Sequence, residues 1–233
     1  MNNSLQNRLS SLWQPPNFIA FFEKSFKRPP HLIKKGTIIL NEGDHLDRLY
    51  CIKEGFVKLY RLSSEGRETT TYLFGPGNVL GLRALTSRGG CTKHTVEALT
   101  NVKILTMPKQ EYFDSLVKHP ELLVDITHMA LQRLDYAEKK LEGFIIADTT
   151  SRVANFLFDC MYRFCQPLPK DGTKTKITLP LALTHQRIAE FVGAFRETVT
   201  LTMKRFQAEK VLTIERSKIT IINLQKLKEH ALL

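Results

Sequence analysis

Residues 183–207 read LTHQRIAEFVGAFRETVTLTMKRFQ, two apolar-periodic runs either side of Gly193. Thr184 is a natural N-cap for HQRIAEFV, Gly193 supplies the turn, and Arg196 opens a second helix. In that second run Val199, Thr202, Met203 and Phe206 recur at helical spacing and form the inward stripe. Arg196, Glu197, Thr200 and Leu201 are then expected on the outer face. Burying the charged pair would cost several kcal/mol, whereas the floor of a DNA major groove satisfies both groups. A recognition helix presents its first turn to base edges. There Arg196 can donate two parallel hydrogen bonds to guanine O6 and N7, and Glu197 can accept from the N4 amino group of cytosine. Leu201 can touch a thymine methyl. The plainer alternative is a solvated helix end with a local ion pair.

Downstream, VLTIERSKITIIN (residues 211–223) offers two short strands joined around Arg216–Lys218. A helix-turn-helix followed by a hairpin is the winged form of a DNA-binding module. Hydroxyls and cations around it can reach the phosphate backbone, which makes Thr184, His185, Arg187, Thr198, Lys204, Arg216 and Lys218 the candidate phosphate contacts. Upstream, Asp148-Thr149-Thr150-Ser151 is N-cap chemistry ahead of RVANFLFDCMYRF and marks a hinge. CQPLPKDGTK is a polar loop, and TKITLPLALT supplies a strand.

Before the hinge, Ala130, Leu134, Ala137, Leu141 and Phe144 are spaced 4, 3, 4 and 3 apart. That 3.5-residue seam predicts one helix over about 120–147, long enough to want a partner along its length. A parallel two-helix dimer is the expectation; a helix laid on its own β-domain is the alternative. From Pro30 to Met107 the character changes again. The runs TIIL, RLYCIKEG, FVKLYRL, TTTYLF, HTVEAL and VKILTM are separated by turn signals at Gly43, Gly55, Gly66 and Gly75–Asn78, which predicts a compact β-sandwich or barrel. Residues 1–30 read as one or two short helices. The expected domains are 1–118, 119–147 and 148–233.

The chain has 233 residues, 42% hydrophobic and 24% charged, which is ordinary for a globular protein. No run approaches ~18 apolar residues, and the N-terminus lacks a signal-peptide pattern, so a cytoplasmic location without membrane attachment is expected. The net charge of +11 is uneven: residues 148–233 hold 14 Lys and Arg against 8 Asp and Glu, residues 1–147 hold 20 against 15. Basicity is denser where the winged helix falls, which favours a polyanionic partner. Cys51, Cys91, Cys160 and Cys165 match no zinc ribbon and read as reduced structural thiols. No metal or cofactor is expected. No nucleophile–base pairing or phosphate-binding glycine loop is visible, since GPGN is a turn, so an enzyme is not expected.

These parts, in this order, resemble the Crp/Fnr family of bacterial transcription regulators, which includes the cyclic-AMP receptor proteins. The resemblance covers roughly residues 30–225 and is carried by THQRIAEFVGAFRETVTLTMKRFQAEKVL with the wing TIERSKITI, by the DTTSRVA hinge, and by GTIILNEGDHLDRLYCIKEGFVKLYRLSSEGRE and GPGNVLG. It implies an α+β fold: an N-terminal double-stranded β-helix (a cyclic-nucleotide-binding-like β-roll), a long dimerisation helix and a C-terminal winged helix-turn-helix. It also implies a homodimer on palindromic promoter sites, RNA polymerase as a partner, and a small-molecule effector in the roll. A sensor module acting through protein partners instead of DNA is the alternative.

Two departures concern the DNA site. Family members commonly carry an arginine reader where Thr200 and Leu201 stand, and a Ser or Thr cap where Phe195 stands. Other departures concern the effector. In cyclic-nucleotide binders the matching stretch holds a Gly-Glu-Leu core and a later Arg-Ser or Arg-Thr. Here Gly81 is kept, Leu82 replaces the acid, and Thr92 and Lys93 replace the phosphate-holding pair. Ala137 and Glu138 fall where hydroxyl side chains usually meet the purine. The implied effector is therefore not cyclic AMP. Arg83, Arg88 and Lys93 could attract a carboxylate, as in the cyanobacterial nitrogen regulators; haem-binding members use a Cys/His pair, and Cys91 and His94 stand near each other in sequence. An unknown ligand, or none, completes the alternatives.

Overall fold

The computed structural model describes residues 18–25, 28–86, 90–165 and 176–231. The chain forms two compact units, one running up to Gln132 and the other from Arg133 onward.

The first unit opens with a helix, α1 (Phe18–Ser25), and continues through eight strands: β1 (His31–Ile33), β2 (Ile38–Leu40), β3 (Arg48–Glu54), β4 (Val57–Leu62), β5 (Glu68–Phe74), β6 (Val79–Leu80), β7 (Thr95–Ala98) and β8 (Val102–Pro108). They pair antiparallel into two four-stranded sheets, ordered β1-β8-β3-β6 and β2-β7-β4-β5. The alternation of side chains along a strand explains the layering. Ile52 on β3 and Val102 and Ile104 on β8 face the second sheet, where they meet Val57, Leu59 and Phe74. Leu49, Cys51, Leu105 and Met107 point the other way, to Phe18 and Phe22 of α1 and to Tyr112, Leu122 and Met129 beyond. The β-rich expectation holds in all six runs. Strands β1 and β6, of three and two residues, were not among the runs read from the sequence.

After α2 (Lys109–Lys118), one helix, α3, runs from Glu121 to Ile146. The second unit takes in its last turns and continues with α4 (Thr149–Phe164), β9 (Ile177–Thr178), α5 (His185–Val192), α6 (Arg196–Ala208), β10 (Leu212–Glu215), β11 (Lys218–Ile221) and α7 (Leu224–His230). Asp148 caps α4, its carboxylate accepting from the Ser151 amide at 2.7 Å, as the DTTS motif predicts. The core gathers Leu157 and Met161 of α4, Ile188 and Phe191 of α5, and Val199, Met203 and Phe206 of α6, all buried. Strands β10, β11 and β9 close it as a small antiparallel sheet in that order. The terminal α7 was not anticipated. Asn223 caps it, and His230 meets the Glu209 carboxylate at 2.6 Å, fastening α7 to the end of α6.

The expected dimer seam divides in the structure. Leu134 and Leu141 are more than half exposed, but the apolar line they belong to continues through Leu131 and Ile145, also more than half exposed. Ala130 is exposed without offering bulk, and Ala137 is half-buried. Phe144 turns toward Arg152, whose guanidinium sits 5.5 Å from its ring centre. Beside Ala130 and Phe144, the neighbouring positions 131 and 145 carry the bulkier exposed aliphatic side chains. Among the described residues no helix is long and apolar enough to cross a membrane.

Candidate nucleic-acid interface

The two helices of the motif are joined by a tight turn that sequence chemistry dictates. Thr184 caps α5, its hydroxyl accepting from the Arg187 amide at 3.2 Å. Gly193 ends the helix at φ 62° and ψ 48°. A side chain there would be strained in the left-handed region, and a Cβ would come within 2.7 Å of the Phe144 ring. Helix α6 starts three residues later, with Phe195 at its N-cap position and no side-chain cap.

On α6, Val199, Thr202, Met203 and Phe206 are buried, and Arg196, Glu197, Thr198, Leu201 and Lys204 are exposed. The first turn therefore presents Arg196 and Glu197 outward together, and Leu201 follows one turn on from Glu197 at 68% exposure. Phe195 adds a second exposed apolar group at 69%. Thr200 departs from its expected place as a base reader. Its hydroxyl donates to the Arg196 carbonyl at 2.8 Å and lies 3.0 Å from Nδ1 of His185. Position 200 sits at the junction with α5, so its hydrogen-bonding capacity is used inside the motif. His185, a candidate phosphate contact, is its partner there. Burial, then the nearby Arg196 and Lys204 cations, hold the His185 imidazole below its ordinary pKa.

The wing is a two-residue hairpin. Glu215 pairs with Lys218, and Arg216 and Ser217 take φ values of 48° and 65°. That is the left-handed geometry of a type I′ turn, here without glycine. It projects the exposed Arg216 and Lys218 at the tip. Of the remaining phosphate candidates, Thr198 and Lys204 are exposed and Arg187 is half-buried.

One organising residue escaped the sequence reading. Arg152 donates to the Val192 carbonyl at 3.0 Å, to the Ala147 carbonyl at 2.9 Å and to the Thr149 hydroxyl at 3.3 Å. It thereby links the end of the long helix, the start of α4 and the end of α5. The carbonyls it collects are at helix C-termini, where a cation is favoured. The signal available was an arginine one turn into a capped helix directly after the hinge.

In the first unit, Gly81 has φ 83°, and a Cβ on it would strike the backbone of Arg48, so backbone packing alone accounts for this glycine. Leu82 packs among the apolar side chains around Leu49 and Val79. Thr92 is buried, and its hydroxyl donates to the His94 carbonyl at 2.9 Å. Arg83 and Lys93 are exposed. Ala137 and Glu138 belong to the other compact unit, and Arg88 lies outside the described residues. A polar cluster was missed. Lys58 is buried with its Nζ 2.6 Å from Glu68, 3.2 Å from Glu97 and 4.4 Å from the Tyr60 ring centre. Burial pulls its pKa down, but the two carboxylates outweigh that and raise it.

The thiols behave as structural groups where buried. Burial pushes Cys51 up to about 12 and Cys160 higher still than a free thiol, which suppresses the reactive thiolate. Cys165 rises to about 11 for the same reason, and Cys91 is exposed.

A β-roll unit, a long helix with an exposed apolar line, and a winged helix-turn-helix with outward-facing Arg196 and Glu197 define a class: DNA-binding transcription regulators that carry a β-roll domain. Residues 30–119 match the cyclic nucleotide-binding domain family and residues 151–230 the Crp-like helix-turn-helix domain family. A global nitrogen regulator from Synechocystis is 32% identical over 219 residues, covering 91% of this chain and 95% of that protein. A CRP-like cAMP-activated global transcriptional regulator from Mycobacterium tuberculosis is 27% identical and spans 93% of both chains. Among solved structures, a CRP/FNR-family transcriptional regulator from Thermus thermophilus aligns with TM-score 0.68 at 30% identity, covering 87% of this chain and 97% of its own. The chain belongs to the Crp/Fnr family of transcription regulators. It is a DNA-binding regulator and not an enzyme.

Proposed function

We propose that the protein is a cytoplasmic regulator that binds palindromic promoter sites as a homodimer. It dimerises through the apolar line of the long helix and recruits or obstructs RNA polymerase. The observation that carries this reading is the pairing of exposed Arg196 and Glu197 on the first turn of α6, in the position from which a recognition helix reads base edges. Lys204, Arg216 and Lys218 stand exposed around it as backbone contacts. Thr184, His185, Arg187 and Thr198 complete that set. Thr200 is assigned to the motif's interior and Leu201 to the groove.

The first 118 residues form the sensor, residues 119–147 the dimerisation helix and residues 148–233 the DNA-binding module. Any effector of the roll is a ligand other than cyclic AMP. Leu82 offers a ribose nothing to bond, and the Thr92 hydroxyl is already engaged. Gly81, Arg83 and Lys93 remain candidates on the roll, with Ala137 and Glu138 on the long helix. An anion is favoured because two of these are exposed cations. The test is selection of bound sites from random duplexes, with and without cell metabolites. Enrichment of a two-fold-symmetric motif is expected, and no enrichment over input would refute the reading.

A further inference from the structure

The helices that follow the hinge start in two different ways. Asp148 caps α4, Thr184 caps α5 and Asn223 caps α7, each through a side-chain oxygen that accepts from the amide three residues on. At the same position before α6 stands Phe195. Its backbone is that of an N-cap, with φ −79° and ψ 145°, and its carbonyl accepts from the Val199 amide at 3.1 Å. Its side chain bonds no amide of the first turn. The stabilisation that a Ser, Thr, Asp or Asn would supply is given up here, and an aromatic ring takes the place.

That ring is not part of the core. Phe195 is 69% exposed, whereas Val199, Met203 and Phe206 of the same helix are fully buried. It directly precedes Arg196 in a run, residues 195–198, that is exposed throughout. A phenyl ring brings roughly 150 Å² or more of largely apolar surface to whatever covers it. At the start of a recognition helix, what approaches is the major groove. The apolar group that base edges present there is the 5-methyl of thymine, and phenylalanine is suited to contact it. Cytosine carries only a hydrogen at that place. The purines present an N7 acceptor, which a phenyl ring would cover without bonding.

We propose that Phe195 is a specificity-determining residue that reads the 5-methyl group of a thymine next to the guanine bound by Arg196. This role depends on the docking of α6 in the major groove proposed above. The two neighbours do not compete, because the ring neither donates nor accepts the hydrogen bonds that the guanidinium makes. Thymine is then selected at one base pair of each half-site by contact alone.

The experiment takes a duplex selected by the full-length protein and replaces each thymine of the half-site in turn by deoxyuridine, in both half-sites, which removes only the methyl. At one position wild type should bind about 4-fold more weakly for each half-site altered, the effect of leaving one methyl group unburied. Phe195→Ser restores a cap, so its melting temperature should stay the same or rise. It should lose the deoxyuridine effect at that position and keep the guanine preference set by Arg196. Phe195→Leu, still apolar, should retain most of the effect, and Leu201→Ala should retain all of it. If no deoxyuridine position distinguishes wild type from Phe195→Ser, Phe195 reads no methyl and the proposal is overturned, while the docking of α6 stands. A deoxyuridine effect that disappears only in Leu201→Ala assigns the methyl to Leu201 and overturns it equally. Failure to select any two-fold-symmetric site would overturn the docking of α6 and this role together.

Discussion

Arg152 Nε donates to the carbonyl oxygen of Val192 at 3.0 Å, across 40 residues of sequence and at the point where the first helix of the DNA-binding motif ends. With its bonds to Ala147 and Thr149, one side chain holds three chain segments that meet at the hinge. Hydrogen bonds from a charged donor contribute ~1.5–3 kcal/mol each, and the carbonyls left behind must find other donors. Arg152→Met should destabilise the DNA-binding unit by about 2–4 kcal/mol, as read by denaturant unfolding. Arg152→Lys should recover only part of this, because an ammonium cannot span the same three acceptors. A variant within ~0.5 kcal/mol of wild type would show that the three segments hold together without it.

The exposed apolar line on the long helix gives a second expectation. Leu131, Leu134, Leu141 and Ile145 are each more than half exposed, and a row of this kind needs a partner helix. Leu134→Asp puts a charge into the proposed seam, where dimerisation would bury it at a cost of several kcal/mol. Sedimentation should show a monomer that no longer binds operator. Leu131→Asp should be as damaging if the seam runs through the larger side chains. An unchanged dimer in both variants would place the interface elsewhere.

Cyclic nucleotides should not act on the roll. Leu82 faces apolar neighbours and the Thr92 hydroxyl is satisfied by His94, so neither ribose nor phosphate finds the groups it needs. Ligand at a hundred times its dissociation constant would add ~2.7 kcal/mol of stability. Thermal melts with sub-millimolar cyclic AMP or cyclic GMP should show no such shift, and its appearance would restore the nucleotide pocket.

The sequence made the helix-turn-helix legible because each of its signals is local: the Thr184 cap, the Gly193 turn and the inward stripe of α6 all lie within 25 residues. The long helix was legible for the same reason, since its period needs no distant partner. What stayed hidden depends on contacts remote in sequence. Thr200 reads as outward by spacing, but His185 on the preceding helix captures it. Arg152 reads as an ordinary surface cation until Val192 is brought beside it. The Lys58 cluster appears only when β4, β5 and β7 are side by side, since Lys58 and Glu97 are cross-strand partners.

Lys140 provides a pH test. Burial lowers it to about 8, against ~10.4 for a free lysine. Below pH ~8 the folded and unfolded chains both carry the proton, and the fold bears the cost of burying it. Between ~8 and ~10.4 the unfolded chain binds one more proton than the folded one, so stability rises with pH, by up to ~3 kcal/mol in total. Asp159, Arg163 and Lys139 share that surrounding and set the exact size of the effect. Lys140→Met should therefore be more stable than wild type at pH 7, and its advantage should shrink as pH passes 8. Parallel stability curves for the two proteins across pH 7–10 would mean that Lys140 titrates as a solvated group.

Base readout supplies the sharpest test of the interface. Arg196 and Glu197 are exposed side by side at the start of α6, and each good pairing discriminates by ~1–3 kcal/mol. Arg196→Ala should relax preference at one base pair of each half-site and leave non-specific affinity nearly intact. Lys204→Ala or Lys218→Ala should weaken all sequences alike and lower the salt slope by about one contact per subunit. Leu201 separates a docked helix from a merely exposed one. At 68% exposure, one turn on from Glu197, it can touch a thymine methyl but cannot hydrogen-bond guanine. Leu201→Arg should create a new guanine preference at a base pair where wild type accepts A·T. Base-pair profiles that coincide for wild type and Leu201→Arg would show that position 201 stops short of the groove, and the docking of α6 proposed above would have to be abandoned.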